Sequence, residues 1–265
     1  MRRALDGILG IMLDLDGVVW VGKTPVEGAP EAVSRLREMG KKIVFTTNNS
    51  ARSRKECIRM LGKIGIRARE EEIVTSGYAT AVYLSRLRRE VRAYVIGERG
   101  LKRELVQVGI KVLSDENAGN ATHLIVGKDS TINYRRIWAG LRALMGGAEF
   151  VATNTDPTYP TELGLAPGAG AMLGAITGCS GRTPDLIIGK PYLPMLKIGL
   201  EIMGTTSRET AIIGDRPEID VMAGKLAGMR TILVLSGVTK KNDLKRMRGD
   251  MRPDYVFESL MEVVS

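Results

Sequence analysis

Asp14 and Asp16 are separated by one residue, are followed by Gly17, and come directly after the apolar run of residues 8–13. At a strand end, residues i and i+2 point to the same side, so the two carboxylates would share one space and attract a hard cation. Thr47-Asn48-Asn49 offers a hydroxyl and two amides, Gly189-Lys190-Pro191 a cation, and Gly214-Asp215 with Asp220 two further carboxylates. Taken singly, each has an ordinary explanation: a solvated Asp-x-Asp-Gly turn, a surface lysine, a strand-end hydroxyl, or a first-turn carboxylate favoured by a helix dipole. Their shared position is more telling. All four segments follow apolar stretches, and open α/β sheets bind ligands beyond the carboxyl ends of their strands.

Other chemistries are excluded by scarcity. A single histidine, His123, leaves no multi-histidine zinc site and no Ser-His-Asp triad unless that residue serves; next to an apolar strand, it is expected to be structural. The two cysteines, Cys57 and Cys179, form no C-x-x-C pair, and Cys57 falls in a helical pattern with Leu61 and Ile64 as a small buried hydrophobe. Gly168-x-Gly170 with Gly174 misses the dinucleotide spacing and reads as close packing or a turn.

These segments need elements to position them. Residues 8–15 read as a buried parallel strand, followed by a helix entered at Pro30 and closed at Gly40. Residues 42–47 form the next strand, and Ser53 with Glu56 makes a capping box for a helix ended by Gly65. Residues 73–76, 186–188, 210–213 and 231–235 continue the strands, with helices from near Tyr192 and Pro217. Between them, residues 91–96, 124–126 and 150–152 alternate with helical patterns at 101–108 and 134–145. The pattern predicts an α/β protein with a three-layer, Rossmann-like core and a mostly parallel sheet, built from residues 1–80 and 180–265. An α/β unit over residues 81–179 is inserted into it. Asn154 and Asp156 lie in a Pro-punctuated loop at the return from the insert, suited to positioning or hinge roles or simply to building the turn.

In order and at strand ends, D-L-D-G-V at 14–18, T-N-N-S at 47–50, G-K-P at 189–191 and G-D-R-P-E-I-D-V-M-A-G-K-L-A-G-M at 214–229 resemble the haloacid dehalogenase-like (HAD) phosphohydrolases. With the insertion between Ser76 and Lys190, the chain is similar to the capped branch of NagD-like, p-nitrophenylphosphatase and phosphoglycolate phosphatase-like enzymes. The resemblance spans nearly the whole chain and is weakest over residues 85–150. It implies a Mg2+-dependent phosphomonoesterase acting on a small phosphorylated substrate, with Asp14 as nucleophile and metal ligand and Asp16 as acid and base, its main-chain carbonyl also at the metal. It further implies Asp215 as the remaining metal ligand, Asp220 as support behind the ligands, Thr47, Asn48 and Asn49 on the phosphoryl oxygens, and Lys190 neutralising their charge. A homodimer paired through the cap is implied as well. A phosphomutase, and a binding or regulatory protein on the same fold, are the rival readings.

Composition agrees with a globular protein: 44% hydrophobic and 26% charged residues over 265 positions. No apolar stretch approaches the ~20 residues of a membrane helix, and Asp6 and Asp14 break the run a signal peptide needs, so a cytoplasmic protein without membrane partners is expected. The net charge of +9 is diffuse, with 12 Lys and Arg against 9 Asp and Glu in residues 81–179; only residues 239–253 are locally basic. Few aromatics accompany those cations, so no specific nucleic-acid binding is expected.

Overall fold

The computed structural model describes every residue except Met1, Lys23 and Glu162, with Arg2, Arg3 and Pro160 described by their backbone alone. Its principal sheet has six strands in the order Tyr255–Phe257, Arg230–Val234, Thr210–Gly214, Gly10–Asp14, Lys42–Thr47 and Ile73–Thr75. All neighbours run parallel. The chain leaves the central strand Gly10–Asp14 in one direction and later fills the other side of the sheet, so the strand order reverses there. A crevice must open beside Asp14.

Side-chain alternation explains the layers. Ile11 and Leu13 join Phe45, Ala211 and Ile213 on one face, packed by the helix Ala29–Glu38 and by Leu61 of the helix Arg54–Lys63. Met12 and Val44 project to the other, against Leu196 and Met203 of the helix Leu193–Met203. That period of two makes the central strand buried along its whole length. Pro30 sits in the first turn of its helix, Gly40 takes φ +73° just beyond the end, and Ser53 and Glu56 form the expected capping box. Cys57 is buried in this core.

A second, five-stranded parallel sheet has the order Leu186–Ile187, Glu149–Ala152, His123–Val126, Arg92–Ile96 and Lys111–Val112. The helices Tyr134–Met145 and Ala169–Ser180 cover one face through Tyr94, Leu124 and Phe150. From the other face, Val95, Ile125 and Val151 join Met12, Val44 and Val74 of the first sheet in one continuous apolar cluster. The two sheets therefore share a core.

Four local expectations are corrected. Residues 186–188 were expected in the first sheet, but Leu186–Ile187 pairs with Glu149–Ala152 at the edge of the second, so that sheet runs past residue 179. A two-residue strand carries too little pattern to choose a sheet. The expected loop over residues 154–160 instead enters a hairpin, Thr158–Thr161 with Gly164–Pro167; its prolines tolerate strand positions because the ribbon has only two strands. His123 lies inside its strand, buried, with Nδ1 2.8 Å from Thr122 Oγ1. The helix from Pro217 opens as a π-helical turn, Pro217–Val221, before the α-helix Met222–Ala227. The basic stretch contributes two exposed 3-10 turns, Lys241–Arg246 and Gly249–Met251.

Candidate active site

Three strand ends of the first sheet and the segment that leaves the edge strand of the second converge on one crevice. Asp14 ends the central strand, Thr47 its neighbour, and Asp215 follows Thr210–Gly214 on the other side. Lys190 arrives from the segment joining Ile187 to the helix at Leu193 and is 1% exposed. Its Nζ donates to Asp14 Oδ1 at 2.7 Å and to Asp220 Oδ1 at 2.5 Å. The π-helical turn aims Asp220 inward while Asp220 Oδ2 accepts the Arg216 N–H at 3.2 Å; such turns often occur at functional sites.

Charge and burial compete in this cluster. Burial drives Asp14 well above the usual carboxylate range; the Lys190 charge opposes this, and Asp220 and Asp215 add to it. Burial, reinforced by Asp220, pushes Asp215 up to about 7. Burial alone would lower Lys190, but the Asp14 and Asp220 carboxylates outweigh it and hold the ammonium above its ordinary value. One buried lysine thus faces several carboxylates, leaving a deficit of positive charge.

Asp14, Asp215 and Asp220 each present an oxygen, all within 4.8 Å of one another. Asp215 Oδ2 accepts the Val238 N–H at 2.6 Å, while the buried Oδ1 has no hydrogen-bond partner among the described residues. An orphaned buried carboxylate oxygen in an all-oxygen cluster fits a hard divalent cation. Gly17 makes room for this arrangement: its φ is +88°, and a Cβ there would stand 2.2 Å from Asp215 Oδ2.

Asp16 is held by partners other than the lysine. Its Oδ1 accepts Trp20 Nε1–H at 3.0 Å and its Oδ2 accepts the Thr47 hydroxyl at 2.9 Å. Trp20 begins a small hairpin, Trp20–Val21 with Thr24–Pro25, which the sequence did not announce. Asn49 donates its backbone N–H to Thr47 Oγ1 at 3.0 Å. Asn48 is committed elsewhere: Nδ2 donates to Asp156 Oδ1 at 3.2 Å and to Lys190 O at 2.9 Å, and Oδ1 accepts Lys190 N–H at 2.9 Å. Its side chain ties together three segments, with no amide hydrogen left for a phosphoryl oxygen.

Asn154 and Asp156 come to the same crevice. Asn154 Oδ1 accepts the Thr153 hydroxyl at 2.9 Å. Burial raises Asp156 above its ordinary value; the nearby Arg216 charge and the Asn48 bond oppose this. Gly168 fits closely here, since a Cβ would lie 2.2 Å from Asp156 O, which bears out the packing role read for it. Sequence reasoning missed Trp20, Val238, Lys128, Tyr159 and Arg216, all of which line or brace the crevice. Lys128 and Arg216, each two residues past a strand, and Val238, four past one, stood where a strand-end rule could have found them; no local pattern marks Trp20 or Tyr159.

A parallel α/β core whose strand-order reversal gathers carboxylates, a buried lysine and a hydroxyl defines a class of hydrolase suited to anionic esters. Residues 11–111 match the family described as haloacid dehalogenase-like hydrolase, and residues 187–263 match a second described as HAD-hydrolase-like. The chain belongs to the haloacid dehalogenase-like hydrolases. It is 36% identical to the 5'-nucleotidase YutF of Bacillus subtilis over 96% of each chain. Among solved structures, a p-nitrophenyl phosphatase from Archaeoglobus fulgidus superposes with TM-score 0.91 at 38% identity, covering 97% of this chain and 98% of that one. A glycerol phosphate phosphatase from Mycobacterium tuberculosis in complex with magnesium gives TM-score 0.90 at 29% identity, over 99% of this chain and 78% of that one. Among the described residues, no helix is long and apolar enough to cross a membrane.

Proposed function

We propose that the protein is a Mg2+-dependent phosphomonoesterase that works through an aspartyl-phosphate on Asp14. The carrying observation is the buried contact of Lys190 with both Asp14 and Asp220 beside the orphaned Asp215 Oδ1. The comparisons agree, since the relatives described above are phosphatases of three different esters. One of them was solved with magnesium.

In this reading a carboxylate oxygen of Asp14 bonds to phosphorus while the bond to the leaving oxygen breaks. Asp16, held by Trp20 and Thr47, gives its proton to that leaving oxygen. Water then attacks phosphorus, Asp16 takes the water proton, and the bond to Asp14 breaks to free inorganic phosphate. Lys190, with one N–H left after Asp14 and Asp220, holds a phosphoryl oxygen, because phosphoryl transfer is chiefly positioning and electrostatics, while Thr47 donates its hydroxyl to Asp16 and so orients the acid. Asp14 and Asp215 would hold the metal with the main-chain carbonyl of Asp16, and Asp220 would keep Lys190 in place. Bound there, the cation would neutralise charge on the phosphoryl oxygens. Asn48 serves as a strut, and the second sheet acts as a cap that limits access of water and large esters.

Release of inorganic phosphate from p-nitrophenyl phosphate, with and without added Mg2+ after exhaustive chelation, tests the proposal. Mg2+-dependent release supports it. Full activity in metal-free protein removes the metal, retention of phosphate on an organic product favours a mutase, and stoichiometric binding without turnover favours a regulatory protein.

A further inference from the structure

We infer that the crevice selects phosphate esters whose alcohol half carries a second anionic group, a carboxylate or another phosphate, and that Lys128 is the residue that reads it. This rests on the phosphatase reading and adds the substrate class to it.

Lys128 follows the strand His123–Val126 of the second sheet, and its neighbour Gly127 abuts the first unit, where a Cβ would stand 2.5 Å from Ser50 Oγ. That contact brings the end of the strand to the crevice, whose wall includes Lys128 and Tyr159. The ammonium lies over the Tyr159 ring, 4.2 Å from its centroid. A cation over an aromatic face is held in place while its outward donors stay available. Lys128 Nζ is loosely ion-paired with Glu98 Oε1 at 3.8 Å, beyond hydrogen-bond reach, so that pairing leaves its N–H donors open.

The other charges lining the crevice have partners. Arg216 is paired with Glu218 at 3.0 Å and its charge also acts on Asp156, which accepts from Asn48. Val21, Ile219 and Val238 supply apolar wall. Asp14 and Lys128 line the same crevice, so in this inference an ester with its phosphoryl group at Asp14 turns its alcohol half to an ammonium with open donors. The group that best satisfies it is anionic oxygen, through charge-assisted hydrogen bonds.

The test compares esters of similar size and different charge at low ionic strength: 2-phosphoglycolate, ethanediol bisphosphate, 2-hydroxyethyl phosphate and phosphoethanolamine, with p-nitrophenyl phosphate as reference. The two anionic esters should exceed the neutral one by about tenfold or more in kcat/KM, with phosphoethanolamine lowest, and the better anionic ester identifies the group. Lys128→Met should abolish that preference mainly through KM, Lys128→Arg should retain most of it, and Lys128→Glu should place phosphoethanolamine above phosphoglycolate. Wild-type protein indifferent to ester charge, or a Lys128→Met variant with the wild-type order, overturns the inference. Titration with phosphonoacetate and ethylphosphonate reads the same selection without turnover. Tighter binding of phosphonoacetate by wild-type protein, lost in Lys128→Met, supports the inference even if no ester is hydrolysed, while equal affinities overturn it. Absence of p-nitrophenyl phosphate turnover counts against the phosphatase reading alone.

Discussion

Lys190 and Asp14 are 176 positions apart in the chain, yet Lys190 Nζ donates to Asp14 Oδ1 at 2.7 Å inside the protein. The same ammonium reaches Asp220 Oδ1 at 2.5 Å, so one cation compensates two buried carboxylates and couples the return from the second sheet to the central strand of the first.

Lys190→Met leaves those carboxylates without their counter-ion. Removing one member of a buried pair typically costs about 3–5 kcal/mol, so urea unfolding of the metal-free variant should show a loss of that order. Turnover should fall by about 10²–10³-fold, the usual effect of deleting one donor to developing charge. A variant as stable as the parent would mean that Asp14 and Asp220 are not charged together.

Asp14→Asn and Asp16→Asn should differ, because one carboxylate is proposed to form a bond and the other to move a proton. With p-nitrophenyl phosphate, whose leaving group departs without protonation, Asp16→Asn should still form the phosphoenzyme and then stall. Rapid quench should show a burst of protein-bound phosphate for Asp16→Asn and none for Asp14→Asn. Equal bursts would mean that the nucleophile is a different carboxylate.

Gly237→Ala probes Asp215 without touching it. A Cβ at residue 237 would stand 1.9 Å from Asp215 Oδ2, so that carboxylate must shift. Mg2+ affinity measured by calorimetry should weaken by about tenfold or more, a displacement of roughly 1.4 kcal/mol. Gly174→Ala is the control: it lies within the helix Ala169–Ser180 with nothing within 4 Å of a Cβ, and it should leave affinity unchanged. Unaltered affinity in Gly237→Ala would take Asp215 out of the metal site.

His123 should make stability depend on pH. Burial holds its imidazole below the ordinary value of 6.5, and Arg89 acts the same way; Glu149, whose Oε2 is 3.2 Å from Nε2, opposes them. As pH falls through 6.5 the unfolded chain takes up this proton before the folded one does, so stability is lost between 6.5 and the lower folded value and then levels off. The Tm advantage of wild type over His123→Gln should shrink from pH 7.5 to about pH 5.5, as followed by calorimetry. A constant difference would show that His123 titrates alike in both states.

Much of this was legible locally because a strand and the turn after it are short-range objects. The apolar run ending in Asp14-x-Asp16-Gly17, the Ser53 and Glu56 capping box and the Pro30 helix start are fixed by neighbours within a few residues. The alternation of strands and helices was enough to predict parallel sheets, and the shared polarity of the first sheet to gather Asp14, Thr47 and Asp215 at one end.

Tertiary structure decided what depends on neighbours far apart in the chain. Leu186–Ile187 has too few residues to specify a sheet, and its place was settled by pairing with Glu149–Ala152. Asn48 looked like a phosphoryl donor until folding brought Asp156 and Lys190 to its amide, and no periodicity distinguishes Lys128 from any other lysine after a strand. Sequence by itself determined which side chains could carry the chemistry, because strand ends and caps are local. Only the fold determined which of their donors and acceptors remain unspent, because a buried polar group takes whatever partner long-range packing sets beside it.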